Sequence, residues 1–314
     1  MRRTPTVGKT IPVLVAVAGA LVISTSGPLV RLSEATPATS ALFRCGYAVP
    51  ALAALAWWER RRLGAMSWRE CRRAWLAGLF FALDLLFWHL SIGYIGAGLA
   101  TVLGNLQVVI VAFAAWALLG ERPSARIAVA TPVVLGGAVL ISGAFDAAPY
   151  GEDPALGVLF GLLTSLTYAA YLLVLRAGSG TGRRAAGPLA HATAVATVAI
   201  AALSPLFGGA DLRPEWPAHG WLLLLALGPQ VLGWVLITYS LPRQPAALTA
   251  LILLIQPVTT VVLSAVLLGE RPSALQLAGC VAVALGVLYG SRPARQPALA
   301  SSAQEGQVPN TSTV

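Results

Sequence analysis

A few strongly polar side chains stand inside long apolar segments of this sequence, where they could do chemistry. Asp84 is the one carboxylate within such a segment, and Arg44 is the one cation deep in another. Trp88 and Ser91 follow Asp84 at four and seven residues, so all three share a face if the segment is helical. Because an Asp at the centre of a bilayer costs roughly 2.5–3.5 kcal/mol, we expect Asp84 to face a cavity or a partner.

Two roles for Asp84 follow from its position. Arg44 is expected at a similar depth, so the first hypothesis is a charge-neutralising ion pair between Asp84 and Arg44. The competing hypothesis is that Asp84 is unpaired and carries a proton. His89 lies five residues beyond Asp84 and off its helix face, so a direct relay is not expected, but an imidazole titrates near neutral pH. Asp84 and His89 are therefore the proton-coupling candidates.

A matching set of polar residues occurs in the second half of the chain. Gln230 and Trp234 repeat the i, i+4 spacing of the acid and tryptophan above, and Gln256 stands 149 residues after Gln107. Single polar residues also serve as hydrogen-bonding contacts between membrane helices, and tryptophans as packing, so these alternatives stay open. The pattern predicts one substrate cavity, lined by Asp84, Trp88, Ser91, Thr101, Asn105, Gln107, Gln230, Trp234 and Gln256.

An exact repeat of eight residues relates the two halves of the chain. The sequence LLGERPSA occupies residues 118–125 and again 267–274, and each copy ends one long apolar segment and precedes another. A glycine that caps one helix and a proline that starts the next explain each copy alone. They do not explain eight identical residues together with the matched glutamines upstream. The repeat therefore indicates duplication of one structural unit.

The composition places these residues in a membrane protein. Of the 314 residues, 57% are hydrophobic and only 11% are charged, against about 25% charged in an ordinary soluble domain. A membrane-spanning helix needs about 20 apolar residues. The sequence predicts an all-α polytopic membrane protein with ten transmembrane helices, near residues 11–32, 36–58, 73–94, 97–119, 124–143, 155–175, 187–207, 219–241, 246–268 and 273–290.

Two of these segments carry further polar features. The first contains Ser24, Thr25, Ser26, Gly27 and Pro28 in succession, a pattern that predicts a bent or broken helix. The sixth places Thr164, Tyr168 and Tyr171 on one face.

The distribution of arginine and lysine predicts the orientation of the chain. With the N-terminus in the cytoplasm, 17 of the 21 basic residues fall on the cytoplasmic side and 3 on the other, as the positive-inside rule requires. Five segments per half make the second half inverted relative to the first. The expected organisation is a cytoplasmic N-terminus (1–10), a first five-helix repeat (11–143), an extracytoplasmic loop (144–154), a second, inverted five-helix repeat (155–290) and a disordered cytoplasmic tail (291–314).

Several kinds of activity lack the residues that they need. Cys45, Cys71 and Cys280 are isolated, so we expect neither a metal site nor a cofactor. No phosphate-binding loop of a primary pump occurs, and no stretch combines basic and aromatic residues as in a nucleic-acid binder. An enzyme would need a nucleophile with a base, a metal cluster or paired carboxylates, and the apolar segments hold one carboxylate.

Three stretches of the chain carry a resemblance to a known family. They are DLLFWHLSIGYIGAGLATVLGNLQ at 84–107, the pair Phe43-Arg44, and the Gly-Glu pairs at 120–121 and 269–270. In their order and spacing they resemble the EamA family of the drug/metabolite transporter superfamily, over about residues 11–290. The resemblance implies an inner-membrane carrier with an inverted-repeat fold and a central cavity.

The expected function is that of a secondary carrier in the cell membrane. It would move a small organic metabolite, amino-acid-like or amphiphilic, by alternating access, with export and proton coupling as the expected mode. An uncoupled uniporter is the alternative, and a membrane-embedded enzyme is a remote one. The expected partners are the small-molecule substrate and the lipid bilayer, with no nucleic acid, and the sequence leaves open whether the protein is a homodimer.

Overall fold

The computed structural model of the chain describes residues 7–142, 153–180, 183–268 and 272–292, apart from the side chains of residues 7–9, 96–99, 207, 264 and 268. Throughout these ranges the backbone forms helices joined by turns and short loops, and no β-strand occurs in them. The prediction of an all-α protein is confirmed.

Thirteen α-helices follow one another in the described ranges. They are α1 (Val7–Ile23), α2 (Ser26–Ser33), α3 (Pro37–Leu63), α4 (Trp68–Asn105), α5 (Gln107–Leu119), α6 (Ala125–Ile141), α7 (Pro154–Gly178), α8 (Ala186–Leu203), α9 (Ala218–Leu225), α10 (Trp234–Ser240), α11 (Ala246–Leu253), α12 (Ile255–Leu268) and α13 (Ala274–Gly290). A π-helical segment, Ala226–Gly233, joins α9 to α10.

The helices fall into stretches of membrane-spanning length. Eight stretches are long and apolar enough to cross a bilayer, and two shorter apolar helices, α6 and α13, accompany them. Each of the ten predicted segments falls on one of these ten elements. The protein is therefore a multi-pass membrane protein.

The chain reverses direction within α4, so the first and last parts of this helical stretch run antiparallel to each other. A Cβ placed on Gly161 of α7 would lie 3.1 Å from the Ser91 Oγ and 2.7 Å from the Leu103 Cβ. A straight helix would separate Ser91 and Leu103 by about 18 Å along its axis, so both could not reach one point. The chain reverses between them, as the predicted segments 73–94 and 97–119 require.

Several of the spanning stretches are interrupted near their middle. The first breaks at Ser24 and Thr25, between α1 and α2, which confirms the predicted bend. Single turn residues, Leu106 and Leu254, interrupt the fourth and ninth stretches at positions that correspond to within one residue in the two halves. As a result, Gln107 is the first residue of α5.

The two halves of the chain pack against each other through paired helices. The most extensive contacts join α4 to α7, α6 to α13, and α3 to α8. Glycines allow the closest approach, because a Cβ on Gly137 of α6 would lie 2.8 Å from the carbonyl oxygen of Gly279 in α13. Each of these pairs joins a helix that precedes residue 143 to a helix that follows residue 152.

Hydrogen bonds join loops of the two halves at two places. Arg184 donates hydrogen bonds to the carbonyl oxygens of Leu63 and Gly64, 2.6 and 2.9 Å away. At the second place the Asp211 amide donates to the Thr39 Oγ1 at 2.9 Å. We call the end with Arg184 the arginine-rich face.

Some predicted features lie outside the described residues. They are most of the N-terminal segment 1–10, nearly all of the loop 144–154 and of the tail 291–314, and Gly269, Glu270 and Arg271 of the second repeat motif.

Candidate functional site

A buried hydrogen-bond chain connects three helical elements at the centre of the protein. The Nε of Arg44 on α3 donates to the Oε1 of Gln230, 2.9 Å away. The Nε2 of Gln230 in turn donates to the Oγ1 of Thr193 on α8, at 3.3 Å. Gln230 and Thr193 are buried, whereas Arg44 keeps part of its surface exposed. The predicted site residues Arg44 and Gln230 are thus in direct contact.

The hypothesis of a direct ion pair between Arg44 and Asp84 requires correction. In the described part of the chain, no nitrogen of Arg44 lies within 4.0 Å of an Asp84 oxygen, because Arg44 is directed to Gln230 instead. Asp84 is 9% exposed and forms neither a hydrogen bond nor an ion pair with any described residue. It still lies close enough to Arg44, Tyr168 and Tyr171 to interact with them electrostatically.

Four aromatic rings fill the space beside Arg44. Phe81 stacks on Tyr171 with ring centroids 4.7 Å apart, and Trp234 meets Tyr171 edge-on at 4.9 Å. Tyr168 meets Trp234 edge-on at 6.3 Å. The guanidinium carbon of Arg44 lies 5.8 Å from the centre of the Phe81 ring, within the range of a cation–π interaction. We call Phe81, Tyr168, Tyr171 and Trp234 the aromatic cluster.

Three members of this cluster were absent from the predicted site. Tyr168 and Tyr171 carried a signal in the sequence, since both lie on the polar face of the sixth segment. Phe81 precedes Asp84 by three residues, which places it on nearly the same face of α4. It carried no distinctive signal, because apolar residues surround it on both sides in the sequence. Thr193 was missed for a similar reason, as one hydroxyl among many small residues of α8.

Ser91 contributes to helix packing rather than to the centre of the site. It is completely buried, and its Oγ donates to the carbonyl oxygen of Gly157 on α7, 2.9 Å away. Its predicted role as a cavity residue is therefore corrected. Trp88 remains partly exposed with its ring against His89. The Nδ1 of His89 lies 2.7 Å from the Leu85 carbonyl oxygen.

The breaks in the fourth and ninth stretches carry the remaining predicted residues. Gln107 is buried, and its Nε2 donates to the Ala250 carbonyl oxygen at 3.4 Å, so it links α5 to α11. Gln256 is partly exposed and interacts with the Tyr168 hydroxyl. Thr101 and Asn105 lie partly buried on the returning end of α4.

Seven buried polar side-chain atoms have no hydrogen-bond partner in the described structure. A buried polar atom without a partner costs about 1–3 kcal/mol, so native proteins contain few of them. Two such atoms belong to the aromatic cluster, Tyr171 Oη and Trp234 Nε1, and two to predicted site residues, Asn105 Nδ2 and Gln107 Oε1. The others in the described residues are Ser26 Oγ, Gln244 Oε1 and Ser291 Oγ.

The chemistry available at this centre is that of binding and proton exchange. It offers one guanidinium, one carboxyl group without a protein partner, four aromatic rings and several neutral polar groups. In the described residues, no group of three or more His, Cys, Asp or Glu side chains converges as metal ligands would.

Comparisons with known proteins identify relatives of this fold. The sequence profile of the EamA-like transporter family matches residues 10–143 and again residues 155–291. A protein of known crystal structure superimposes with a TM-score of 0.73, covering 90% of this chain and 96% of its own, at 20% sequence identity. At that identity the similarity concerns the fold alone. No curated protein matches the chain in sequence.

Proposed function

Because the chain belongs to the EamA-like transporter family, whose profile covers both of its halves, we propose that it is a secondary carrier. It moves a small organic metabolite across the cytoplasmic membrane by alternating access, with export as the expected direction. The observation that supports the proposal is a cluster of polar and aromatic side chains contributed by both repeats, with Arg44 and Asp84 from the first and Gln230 and Tyr168 from the second.

The proposed topology has ten membrane crossings, with the repeats 11–143 and 155–290 inverted relative to each other. Five crossings in each repeat make this inversion necessary. An inverted pair offers two tilts of similar energy, one open to each side of the membrane. The arginine-rich face is proposed to be cytoplasmic, since basic loops stay on that side, and both termini then lie in the cytoplasm.

An ion pair ties the two repeats together at the arginine-rich face. Two nitrogens of Arg176 donate to the two oxygens of Glu121, at 2.8 and 2.6 Å. The amide of Ala246, at the start of α11, donates to the same carboxylate at 3.2 Å. Glu121 belongs to the first repeat, while Arg176 and Ala246 belong to the second. We propose that this connection, the Glu121 tie, stabilises the conformation closed at that face.

Proton coupling is proposed to use Asp84. A carboxylate charge that is buried without a partner is costly, so proton binding and release at Asp84 can be linked to the movement of the two repeats. His89 is the weaker candidate, because its Nδ1 contacts a backbone oxygen of its own helix. An uncoupled uniporter is the alternative within transport. A membrane-embedded enzyme is the remote one, and membership of a transporter family argues against it.

The test is transport in liposomes that contain the purified protein. The liposomes are loaded with a mixture of amino acids and small organic acids, a pH gradient is imposed, and the solutes are measured by mass spectrometry. We expect one class of solute to move against its gradient. The Asp84→Asn variant should lose this driven movement but keep exchange of solute down its gradient.

A matched control is Asp153→Asn, which makes the same chemical change at the N-cap of α7. It should leave driven transport intact. If the pH gradient has no effect on the wild-type protein, the carrier is a facilitator and the proton proposal is wrong. If no solute moves at all, the proposal of a carrier for this class of compound is wrong as well.

A further inference from the structure

The guanidinium of Arg44 is the deepest cation among the described residues, and its two terminal nitrogens are directed to no described protein group. We propose that they bind the carboxylate of the transported molecule, while Tyr168, the partly exposed member of the aromatic cluster, packs against its apolar part. The substrate is then a small organic monocarboxylate with an apolar body. This inference rests on the proposed carrier function and deepens it.

The depth of Arg44 makes it part of an internal site. It lies seven residues into α3 from Pro37, which corresponds to about 10 Å along the helix. Its neighbour Cys45 is fully buried, yet Arg44 itself retains exposed surface. Arg44 is thus less tightly enclosed than the residue next to it, as a side chain that receives a solute within the bundle would be.

The contacts of Arg44 leave its binding edge available. An arginine has five N–H donors in one plane, and its outer edge matches the two oxygens of a carboxylate. Only the Nε donor is used here, by Gln230. Within the described ranges, no hydrogen bond or ion pair involves the Nη1 or Nη2 of Arg44. Its edge therefore keeps the donors that a bidentate carboxylate needs.

Gln230 and Phe81 hold this edge in one orientation. Gln230 is itself held by the Thr193 hydroxyl, so the Nε contact belongs to a chain of buried groups rather than to a mobile side chain. The Phe81 ring lies 5.8 Å from the guanidinium carbon. A guanidinium fixed in advance loses little conformational freedom when it binds, which favours affinity.

The surrounding groups limit the class of substrate. Phe81, Tyr171 and Trp234 are buried and form the wall beside Arg44, whereas Tyr168 keeps part of its surface exposed, which suits an apolar body of modest size. Asp84 lies in electrostatic range of Arg44 and disfavours a second negative charge. A phosphate or dicarboxylate would need additional deep cations, and none occurs beside Arg44 in the described structure. These features select a monocarboxylate.

The test compares shape-matched ligands that differ in charge at one group. Benzoate and benzamide form one pair, and 4-methylpentanoate and 4-methylpentanamide form another. Binding to the purified protein is measured as an increase in thermal stability over a range of ligand concentrations. The wild-type protein should bind at least one carboxylate with an affinity about 10- to 100-fold above that of its amide, as expected for hydrogen bonds to charged groups.

Three variants separate binding from folding. Arg44→Gln should abolish the preference for the carboxylate, and Arg44→Lys should retain only part of it, because an ammonium cannot form the planar contact. Gln230→Leu keeps the charge of Arg44 but removes the hydrogen bond that orients its guanidinium, so the preference for the carboxylate should fall in this variant as well. This variant tests the inference even if Arg44→Gln does not fold. Arg69→Gln, on the exposed part of α4, is the control and should behave as the wild type.

Two results would overturn the inference. One is equal binding of a carboxylate and its amide, or no binding of either, in the wild type. The other is an unchanged preference in Arg44→Gln. Transport of a neutral or cationic solute in the liposome assay, together with either result, would leave the carrier function standing while removing Arg44 as the carboxylate site.

Discussion

Breaking the Glu121 tie tests the proposal that the two repeats move relative to each other. We consider Glu121→Gln, which removes the charge and keeps the shape of the side chain. The side chains of Arg176 and Glu121 are 15% and 30% exposed. Exposed pairs contribute about 0.2–1 kcal/mol, and buried hydrogen bonds to charged groups about 1.5–3 kcal/mol. This two-pronged, partly buried pair lies between the two, at about 1–2 kcal/mol.

A loss of this size has a measurable effect on the conformational equilibrium. If the tie forms only when the arginine-rich face is closed, its loss shifts the ratio of open to closed molecules by about 5- to 30-fold. Spin labels at residues 122 and 183 report the distance between the first LLGERPSA copy and the residues after α7. Both positions are exposed and can therefore carry a label. The native cysteines are replaced first. The distance distribution should broaden and shift to longer values in Glu121→Gln.

The tie also predicts a response to pH. Burial raises the pKa of Glu121, but hydrogen bonds from Arg176 and the Ala246 amide, together with the charge of Arg176, outweigh it and lower the pKa. A group whose pKa is lowered by its contacts stabilises the structure above its ordinary pKa, about 4.3 for Glu, and loses this effect as the pH falls through the lowered value. The wild-type distances should therefore stay constant from pH 8 to pH 5.

Two outcomes would contradict this reasoning. The first is a distance distribution of Glu121→Gln at neutral pH that matches that of the wild type. The second is an equal shift of the distance distribution in the control Arg69→Gln. The first outcome would mean that the tie does not bias the conformational equilibrium. The second would mean that the net charge of this face, rather than the specific contact, is responsible.

Two further predictions concern stability. Gly137→Ala should lower the melting temperature, at a cost of about 1–3 kcal/mol, because the added Cβ would lie 2.8 Å from the Gly279 carbonyl oxygen. Gly136→Ala is the control and should not lower it, because no atom lies within 4 Å of a Cβ at that position. Equal melting temperatures of the two variants would contradict the close packing of α6 on α13. Glu59→Gln should lower stability by about 1–2 kcal/mol, since Glu59 accepts from three amides at the start of α8, those of residues 185, 186 and 187. Thermal unfolding against the exposed neighbour variant Arg60→Gln measures this loss, and similar melting of both would remove the capping role.

The sequence was sufficient for the order and placement of the helices. Apolar runs predicted the eight stretches of spanning length, because a bilayer imposes that length on a crossing, and they also predicted the positions of the two shorter apolar helices, α6 and α13. The cluster from Ser24 to Pro28 predicted the break in the first stretch for a local reason, since its side chains compete with the helical hydrogen bonds. The Ser24 hydroxyl indeed donates to the Ala20 carbonyl oxygen at 2.6 Å.

The partners of the polar residues could not be predicted in the same way. Residue spacing indicates the depth of Arg44 and Asp84, but the rotation of each helix about its axis depends on tertiary packing. Gln230 lies in a π-helical segment that contains Pro229, where widened turns change the direction of the side chains that follow. No periodicity in the surrounding apolar run signals this segment. The contact of Arg44 with Gln230 therefore became visible only in the structure.

Ser91 shows a second limit of prediction from spacing. It shares a face with Asp84 on an ideal helix, yet Gly157 allows α7 to approach so closely that its carbonyl oxygen accepts from the serine. A hydroxyl on a small-residue interface satisfies the neighbouring backbone instead of lining a cavity. Whether such an interface forms depends on a residue 66 positions away.

The matched interruptions at Leu106 and Leu254 affect how such a protein can move. A continuous helix transmits a tilt from one membrane surface to the other, whereas a helix that is divided at mid-depth can bend there through a few backbone torsions. The amides of both residues remain hydrogen-bonded to carbonyl oxygens three residues earlier, at Leu103 and Leu251. These two amides are therefore satisfied at the breaks. Under the proposed alternating access, opening at one membrane surface would leave the helix ends at the opposite surface undisturbed.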